Sequence, residues 1–416
     1  MSRRDPSAGK PLGPIPAGFE SIDGELAIGG RKVSDLVAEA GDTPLFVYSR
    51  AMLDTRMAEL RAAMPERLAI HYAVKANPHP QVIAHMAGLV DGFDLASGGE
   101  LAILQGVGID GAHISFAGPG KRPREISAAI EAGVTLNCES ETEAARALEI
   151  GAELGVQPKV AVRVNPDFDM RGSGMKMGGG PKPFGIDAER VPALIARIIA
   201  AGCEFRGLHI FTGSQALSAE AVIDMQAKVL DCADRLAGEA GVKLPKLNMG
   251  GGFGIPYFPG DEPLDIAAVG AALHDRFAHL PETLADAELF LELGRYLVGE
   301  AGVYLTRIVD RKDSYGETYL ITDGGLHHQL AASGNFGTVV RRNYPVAIAS
   351  RFAAEPEETA NVVGCLCTPL DRLADKAHLP RAEVGDLVAV FCAGAYGASA
   401  SPSAFLGQGP AAEMLV

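Results

Sequence analysis

Short apolar runs recur between about Pro44 and Val303. Each is followed by an Ala- and Leu-rich stretch whose apolar positions fall three and four apart. The runs LAIHYAV (Leu68 to Val74), FDLA (Phe93 to Ala96), ISFAG (Ile114 to Gly118) and VTLNC (Val134 to Cys138) read as strands, as do KVAVRVN (Lys159 to Asn165), FRGLHIF (Phe205 to Phe211), KLNMG (Lys246 to Gly250) and LFLELG (Leu289 to Gly294). Segments such as SETEAARALEIGAEL and AERVPALIARIIAA carry the helical period between them. Ser140 followed by Glu143 has the form of a helix cap with Ser140 as N-cap. About eight strand–helix alternations predict a parallel (β/α)8 barrel, with a doubly wound open sheet as the competing arrangement.

After Val303 the rhythm changes. VYLTRIVDRKDSYGETYLITDGG, TANVVGCLC and DLVAVFCAGAYG read as strands without intervening helices. The expected domains are therefore a segment over 1–43, a barrel over 44–303 and an all-β domain over 304–416. In the first segment ELAIGG and PLFVYS resemble strands around a helix at VSDLVAEAG, and they are placed to pair with the C-terminal sheet. The Pro- and Gly-rich start is expected to be disordered.

Composition narrows the function. The 416 residues hold 37 Lys+Arg against 52 Asp+Glu, a net charge of −15 with a pI near 5.2. That balance disfavours a phosphate-backbone partner, so nucleic acid is excluded as the main ligand. No apolar run approaches the roughly 20 residues of a membrane span, and no apolar stretch follows the basic N-terminus, so the expected location is the cytoplasm. The cysteines Cys138, Cys203, Cys232, Cys365, Cys367 and Cys392 form no CxxC pair and no zinc spacing. They are expected to be reduced, mostly buried thiols, with no metal bound.

Candidate chemistry gathers where the strands end. Lys75 closes an apolar strand, where poor solvation lowers an amine pKa toward the neutral form that Schiff-base chemistry needs. The alternative is a snorkelling or ion-paired lysine. Gly250, Gly251 and Gly252 follow another strand, and their backbone can curl around a phosphate or make a tight turn. The run fails G-x-G-x-x-G at Ile255, and no P-loop occurs. Glu292 and Arg295 suit a protonated ring nitrogen and an anion, or a structural salt bridge. Cys365 and Cys367 would share one strand face, as a buried pair or with one thiol as proton donor.

Taken together, HYAVKAN, FDLASGGEL, LHIFTGSQ, NMGGGFG, ELGRY, GCLCTPLD and GAYGASAS resemble, in order, the motifs of fold-type III pyridoxal-phosphate decarboxylases, which include the diaminopimelate, ornithine and arginine decarboxylases. The resemblance runs from about Pro44 to the C-terminus. It implies an alanine-racemase-like barrel with a C-terminal β domain, pyridoxal 5'-phosphate as cofactor, and a homodimer with shared active sites. Lys75 would hold the cofactor, with Asp94 and Glu100 near it. His209 and Phe211 would face the ring. Ser214, the glycine run and Tyr396 would contact the phosphate, Arg295 the phosphate or substrate, and Glu292 the pyridine nitrogen. Cys367 would protonate the product from the partner subunit, and Asp371 would join Arg295 in binding substrate.

Departures from that pattern concern the substrate. Phe211 replaces a stacking His, Leu293 replaces a Pro, and Thr368 replaces the Glu that reads the far end of diaminopimelate. The RPALY segment is replaced by LAASGNFGTVVRRNYP, and the usual YN segment by SAFLGQ. The segment MRGSGMKMGGGPKPFGID, with Arg171, Lys176 and Lys182, resembles a subgroup that acts on carrier-protein-linked aminoacyl groups in butirosin assembly, and another that accompanies exosortase-type clusters. A thioester has no free distal carboxylate, which fits the loss of its reader. The basic loop would meet an acidic carrier or a phosphopantetheine phosphate, or form a solvated lid. The expected activity is thus decarboxylation of an L-amino acid or carrier-linked aminoacyl group, with free meso-diaminopimelate as the alternative substrate. A racemase, a non-catalytic cofactor-binding protein and a sugar-phosphate barrel enzyme are the remaining readings.

Overall fold

The computed structural model describes residues 9–168, 175–176, 178–334 and 342–416. The chain divides into two compact units, Arg56–Ile255 with Pro263–Gly294, and Met1–Thr55 with Pro256–Glu262 and Arg295–Val416.

The first unit is a closed parallel barrel. Its strands are β1 (Ala69–Ala73), β2 (Gly92–Leu95), β3 (Ile114–Phe116), β4 (Thr135–Cys138), β5 (Lys159–Asn165), β6 (Glu204–Ile210), β7 (Lys246–Gly251) and β8 (Glu288–Leu293). Neighbours pair in chain order, and β8 returns to β1 through Phe290↔Ala69 to Leu293↔Tyr72, so the open-sheet alternative does not hold. Leu291 and Leu293 face outward under the helices, while Phe290 and Glu292 face the barrel axis. Helices begin where the sequence provides caps. Ser97 Oγ accepts from Glu100 N, Ser140 Oγ from Glu143 N and Ser218 Oγ from Ala221 N.

Between the helices Pro123–Glu131 and Glu141–Leu154, one lysine is fully buried. Lys121 Nζ donates to Gly118 O and Asn137 O, each at 2.9 Å, and to Glu143 Oε1 at 2.6 Å. All three ammonium protons are used, so burial of the charge is tolerated. Lys121→Met strands the Glu143 carboxylate and is expected to lower unfolding stability by about 3–5 kcal/mol. Denaturant titration checks this, and the double variant with Glu143→Leu should recover most of the loss; a change below about 0.5 kcal/mol refutes it.

The second unit is built on a mixed, mostly antiparallel set of strands. β9 (Gly302–Ser314) pairs with β10 (Glu317–Thr322), with β13 (Leu387–Val390) and with the strand Leu45–Tyr48, while β11 (Glu358–Val363) joins β10 to β12 (Arg372–Leu379). The terminal strand Ala412–Leu415 lies parallel to Leu45–Tyr48. Leu26, Ile28, Leu36, Leu45, Val47, Val303, Leu305 and Phe391 form its core. The units therefore depart from the expected boundaries at 43 and 303: Leu45–Tyr48 and Pro256–Glu262 both belong to the β unit. The start of the chain departs as well. From Gly9 onward it is bound in place, with Lys10 N donating to Lys376 O and Gly13 N to Asn343 O. Residues 1–8 lie outside the described residues.

Candidate active site

Lys75 leaves the C-terminal end of β1 on a single 3-10 turn, Val74–Ala76, which places its side chain at the mouth of the barrel beside Glu292. The expectation of a poorly solvated amine is corrected here: the side chain is 45% exposed. Lys75 Nζ lies 3.3 Å from Glu292 Oε1 and 5.4 Å from the centre of the Phe211 ring.

Glu292 is the electrostatic centre of this mouth. Asn248 Nδ2 donates to its Oε2 at 3.2 Å, and His209 Nε2 lies 3.1 Å from the same oxygen. Burial alone would raise the pKa of this carboxyl. The Lys75 ammonium, then His209 and Arg163, outweigh burial and hold it below the usual carboxylate range. Arg163 is held in turn by Glu139 at 2.7 Å and covers the Phe184 ring.

Glu100, in the first turn of the helix Gly98–Val107, accepts from Ala96 N at 2.6 Å. Burial raises its pKa, and the nearby Lys75 charge partly offsets that. Asp94 is buried inside the barrel, bonded to Ser115 Oγ and 3.3 Å from His71 Nδ1. His71 stacks on Phe290 at 4.0 Å.

The glycine run makes a tight cradle. A Cβ on Gly252 would stand 2.2 Å from Gly213 O, and Gly252 has φ +85°, so only glycine lets this loop press onto Gly213–Ser214. Ala216 N donates to Gly252 O at 2.9 Å and Gly254 N to Ala216 O at 2.8 Å, locking the two loops together. Gly250 N donates to Asn248 Oδ1 at 2.8 Å, which ties the cradle to the Glu292 carboxylate through one amide side chain. Gly251 lies opposite Glu292 in the β7–β8 ladder. The backbone of Met175–Lys176 pairs with Gly213–Ser214, in the register Met175↔Ser214. Arg171 lies outside the described residues, as does the Lys176 side chain, while Lys182 is half-buried.

The remaining expected residues belong to the β unit. Arg295 begins the short helix Arg295–Val298, and its guanidinium lies 4.8 Å from the centre of the Tyr396 ring. Cys365 and Cys367 are not on a strand: β11 ends at Val363, so the shared strand face does not exist. Cys365 Sγ donates to Asp323 O, and burial raises its pKa; Cys367 is exposed. Asp371 does not present its carboxylate to a substrate. One oxygen accepts from Leu326 N at 2.7 Å and the other from Leu366 N at 2.9 Å, and the residue is 2% exposed. It organises the cysteine loop from within.

Residues 50–299 match the family described as pyridoxal-dependent decarboxylase, pyridoxal binding domain. The chain belongs to this family of pyridoxal-dependent decarboxylases. It is 33% identical, over 90% of its length and 89% of the relative's, to the L-glutamyl-[BtrI acyl-carrier protein] decarboxylase of Niallia circulans. It is 35% identical, over 96% and 93%, to the diaminopimelate decarboxylase of Archaeoglobus fulgidus. The crystal structure of the M. jannaschii diaminopimelate decarboxylase with L-lysine superposes with a TM-score of 0.87 at 26% identity, covering 96% of this chain and 93% of that one.

The residues present fit the pyridoxal phosphate of the decarboxylase family. The mouth offers a reachable primary amine, an ionised carboxylate beside it and a backbone cradle without side chains. In the β unit, Arg295 is a cation whose buried Nε has no partner among the described residues. The motifs did not single out Asn248, Arg163 or Tyr257. Asn248 was accessible in principle, since it shares a strand face with Gly250 by period two. The other two depend on tertiary placement.

Proposed function

We propose that this decarboxylase acts on the α-carboxylate of an aminoacyl group carried as a protein-bound thioester. The reading is supported by the similarity to a glutamyl carrier-protein decarboxylase over nine-tenths of the chain. The turn Leu330–Ser333 agrees with it. Its sequence LAAS has no charged side chain, and its one hydroxyl donates to Leu330 O at 2.7 Å, so among the described residues this turn offers no cation to a free distal carboxylate. With Asp371 occupied by backbone amides, that acid is also lost to substrate binding.

When bound, pyridoxal phosphate supplies the electron sink for the pair left behind as CO2 departs. The chain's own groups divide the remaining work. Lys75 would offer the amine that holds the aldehyde. Glu292, kept ionised, would accept a hydrogen bond from a protonated ring nitrogen and so hold that proton in place. Asn248 and His209 would orient that carboxylate. Gly250, Gly252 and Ser214 would form the phosphate cradle. The exposed Cys367 thiol carries a transferable proton, and the dimer inferred from the family would bring it to a partner's mouth.

The test compares CO2 release from glutamyl carrier protein, free glutamate and free meso-diaminopimelate. We expect kcat/KM for the carrier-bound group to exceed either free acid by about 100-fold or more. Turnover of free meso-diaminopimelate at an equal or higher kcat/KM overturns the reading. It would favour the second one, free diaminopimelate, which the 35% identity to the Archaeoglobus fulgidus enzyme supports.

A further inference from the structure

The segment Pro256–Glu262 lies in the middle of the barrel's stretch of sequence, yet it belongs to the β unit. Such an excursion interrupts the β7-to-helix connection at some cost in ordered backbone, so its buried side chain calls for an explanation. That side chain is Tyr257, 3% exposed. Arg295 Nη1 donates to its hydroxyl at 2.8 Å, and its ring centre lies 5.4 Å from the guanidinium carbon.

The segment is anchored on every side. Tyr257 N and Phe258 N both donate to Asp261 Oδ2 at 3.1 Å, closing a tight turn. The Tyr257 ring packs on Tyr344 at 4.8 Å, and Phe258 meets Tyr344 edge-on at 5.5 Å. On its backbone side the chain passes so close to Gly13 that a Cβ there would stand 2.0 Å from Tyr257 O. Cys392 Sγ donates to Pro256 O.

Arg295 is thus gripped by two rings, Tyr257 and Tyr396, and by one hydrogen bond. Ring faces hold a guanidinium near a plane but do not fix its rotation within it. A directional bond from Nη1 does fix it. Burial pushes the Tyr257 hydroxyl up to about 12, so it stays a neutral phenol that accepts this bond at working pH. The Nε edge is buried and without a partner among the described residues, and a buried donor of this kind calls for an acceptor.

We propose that Tyr257 is a positioning residue that holds Arg295 with its free edge presented to an oxyanion, a phosphate ester or a carboxylate. The proposal rests on the reading of Arg295 as an anion-binding residue, and extends it to the residue that fixes its guanidinium.

The experiment uses the full-length apoenzyme with Tyr257→Phe, Arg295→Ala and the double variant. Binding of pyridoxal phosphate and of pyridoxal without its phosphate is titrated, and KM and kcat are measured on the reconstituted enzymes. Phenylalanine keeps the ring and its packing, and a thermal scan verifies the fold. If the oxyanion is the cofactor's phosphate, Tyr257→Phe weakens pyridoxal phosphate binding about 10-fold and changes pyridoxal binding less than about 2-fold. If it is the substrate's carboxylate, both cofactor affinities hold while KM rises about 10-fold at constant kcat. Either way, Tyr257→Phe adds nothing in the Arg295→Ala background, because its effect runs through that guanidinium. An unchanged set of constants overturns the proposal, as does an equal loss for pyridoxal and pyridoxal phosphate. If Arg295→Ala itself leaves every constant unchanged, the reading of Arg295 fails instead.

Discussion

Lys75→Ala abolishes CO2 release, by about 10⁴-fold or more, and with it the visible absorbance of the bound cofactor. The geometry supports this expectation. Lys75 is the residue β1 delivers at its C-terminal end, on a 3-10 turn whose flanking Val74 and Ala76 are buried and hold its backbone still. Its amine sits within 3.3 Å of Glu292 and stands open to an incoming aldehyde. Lys75→Arg is the informative companion. It keeps a cation against Glu292 and therefore the fold, but a guanidinium forms no stable Schiff base, so it too should be inactive and colourless. The direct measurement is borohydride reduction of the holoenzyme followed by peptide mapping. A single labelled peptide carrying Lys75 is expected. A label on another lysine, or a Lys75→Ala enzyme with more than a hundredth of the wild-type rate, refutes the assignment.

What the sequence revealed about this site depended on how local the determinant was. The eight barrel strands were visible because each is a short apolar run between helical periods. KVAVRVN matches β5 end to end, and the other runs differ from their strands by a residue or two. The positions of Lys75, Glu292 and the glycine run followed from the rule that chemistry collects at the C-terminal ends of such strands. The cysteine loop was misread because β-branched Val362 and Val363 extend the strand pattern, whereas the chain turns to wrap the Asp371 carboxylate, a partner several residues downstream. Lys121 gives no local sign of burial, since three acceptors from distant positions create its site. Tyr257 was hidden for a related reason. IPYFPGDEP reads as a loop of turn residues, and only the fold shows that this loop leaves the barrel unit. The family motifs name candidate reactive groups, whereas the residues that hold those groups in place are tertiary facts.

The second large effect is expected at Glu292. Glu292→Gln keeps the shape of the side chain and removes its charge. Asn248 Nδ2 can still donate to the remaining carbonyl oxygen, with His209 Nε2 beside it, while the new amide group takes the place of the oxygen that faced Lys75. A neutral amide no longer favours a proton on the cofactor's ring nitrogen, so kcat should fall by about 10²–10³-fold while the cofactor stays tethered to Lys75. A retained kcat above half the wild-type value would show that the carboxylate does not act on the ring. The pH dependence follows from the direction of the shift. The folded pKa of Glu292 is depressed, because Lys75, His209 and Arg163 outweigh burial. Its ionised form therefore stabilises the folded state fully above the unfolded carboxyl value of about 4.3, and that contribution is lost as pH falls toward the folded value. The unfolding stability of wild type should exceed that of Glu292→Gln by a constant margin from about pH 6 to 8 and converge with it below about pH 4. A margin that grows on acidification would mean that the carboxyl is protonated in the native barrel, with the opposite consequence for the electron sink above it.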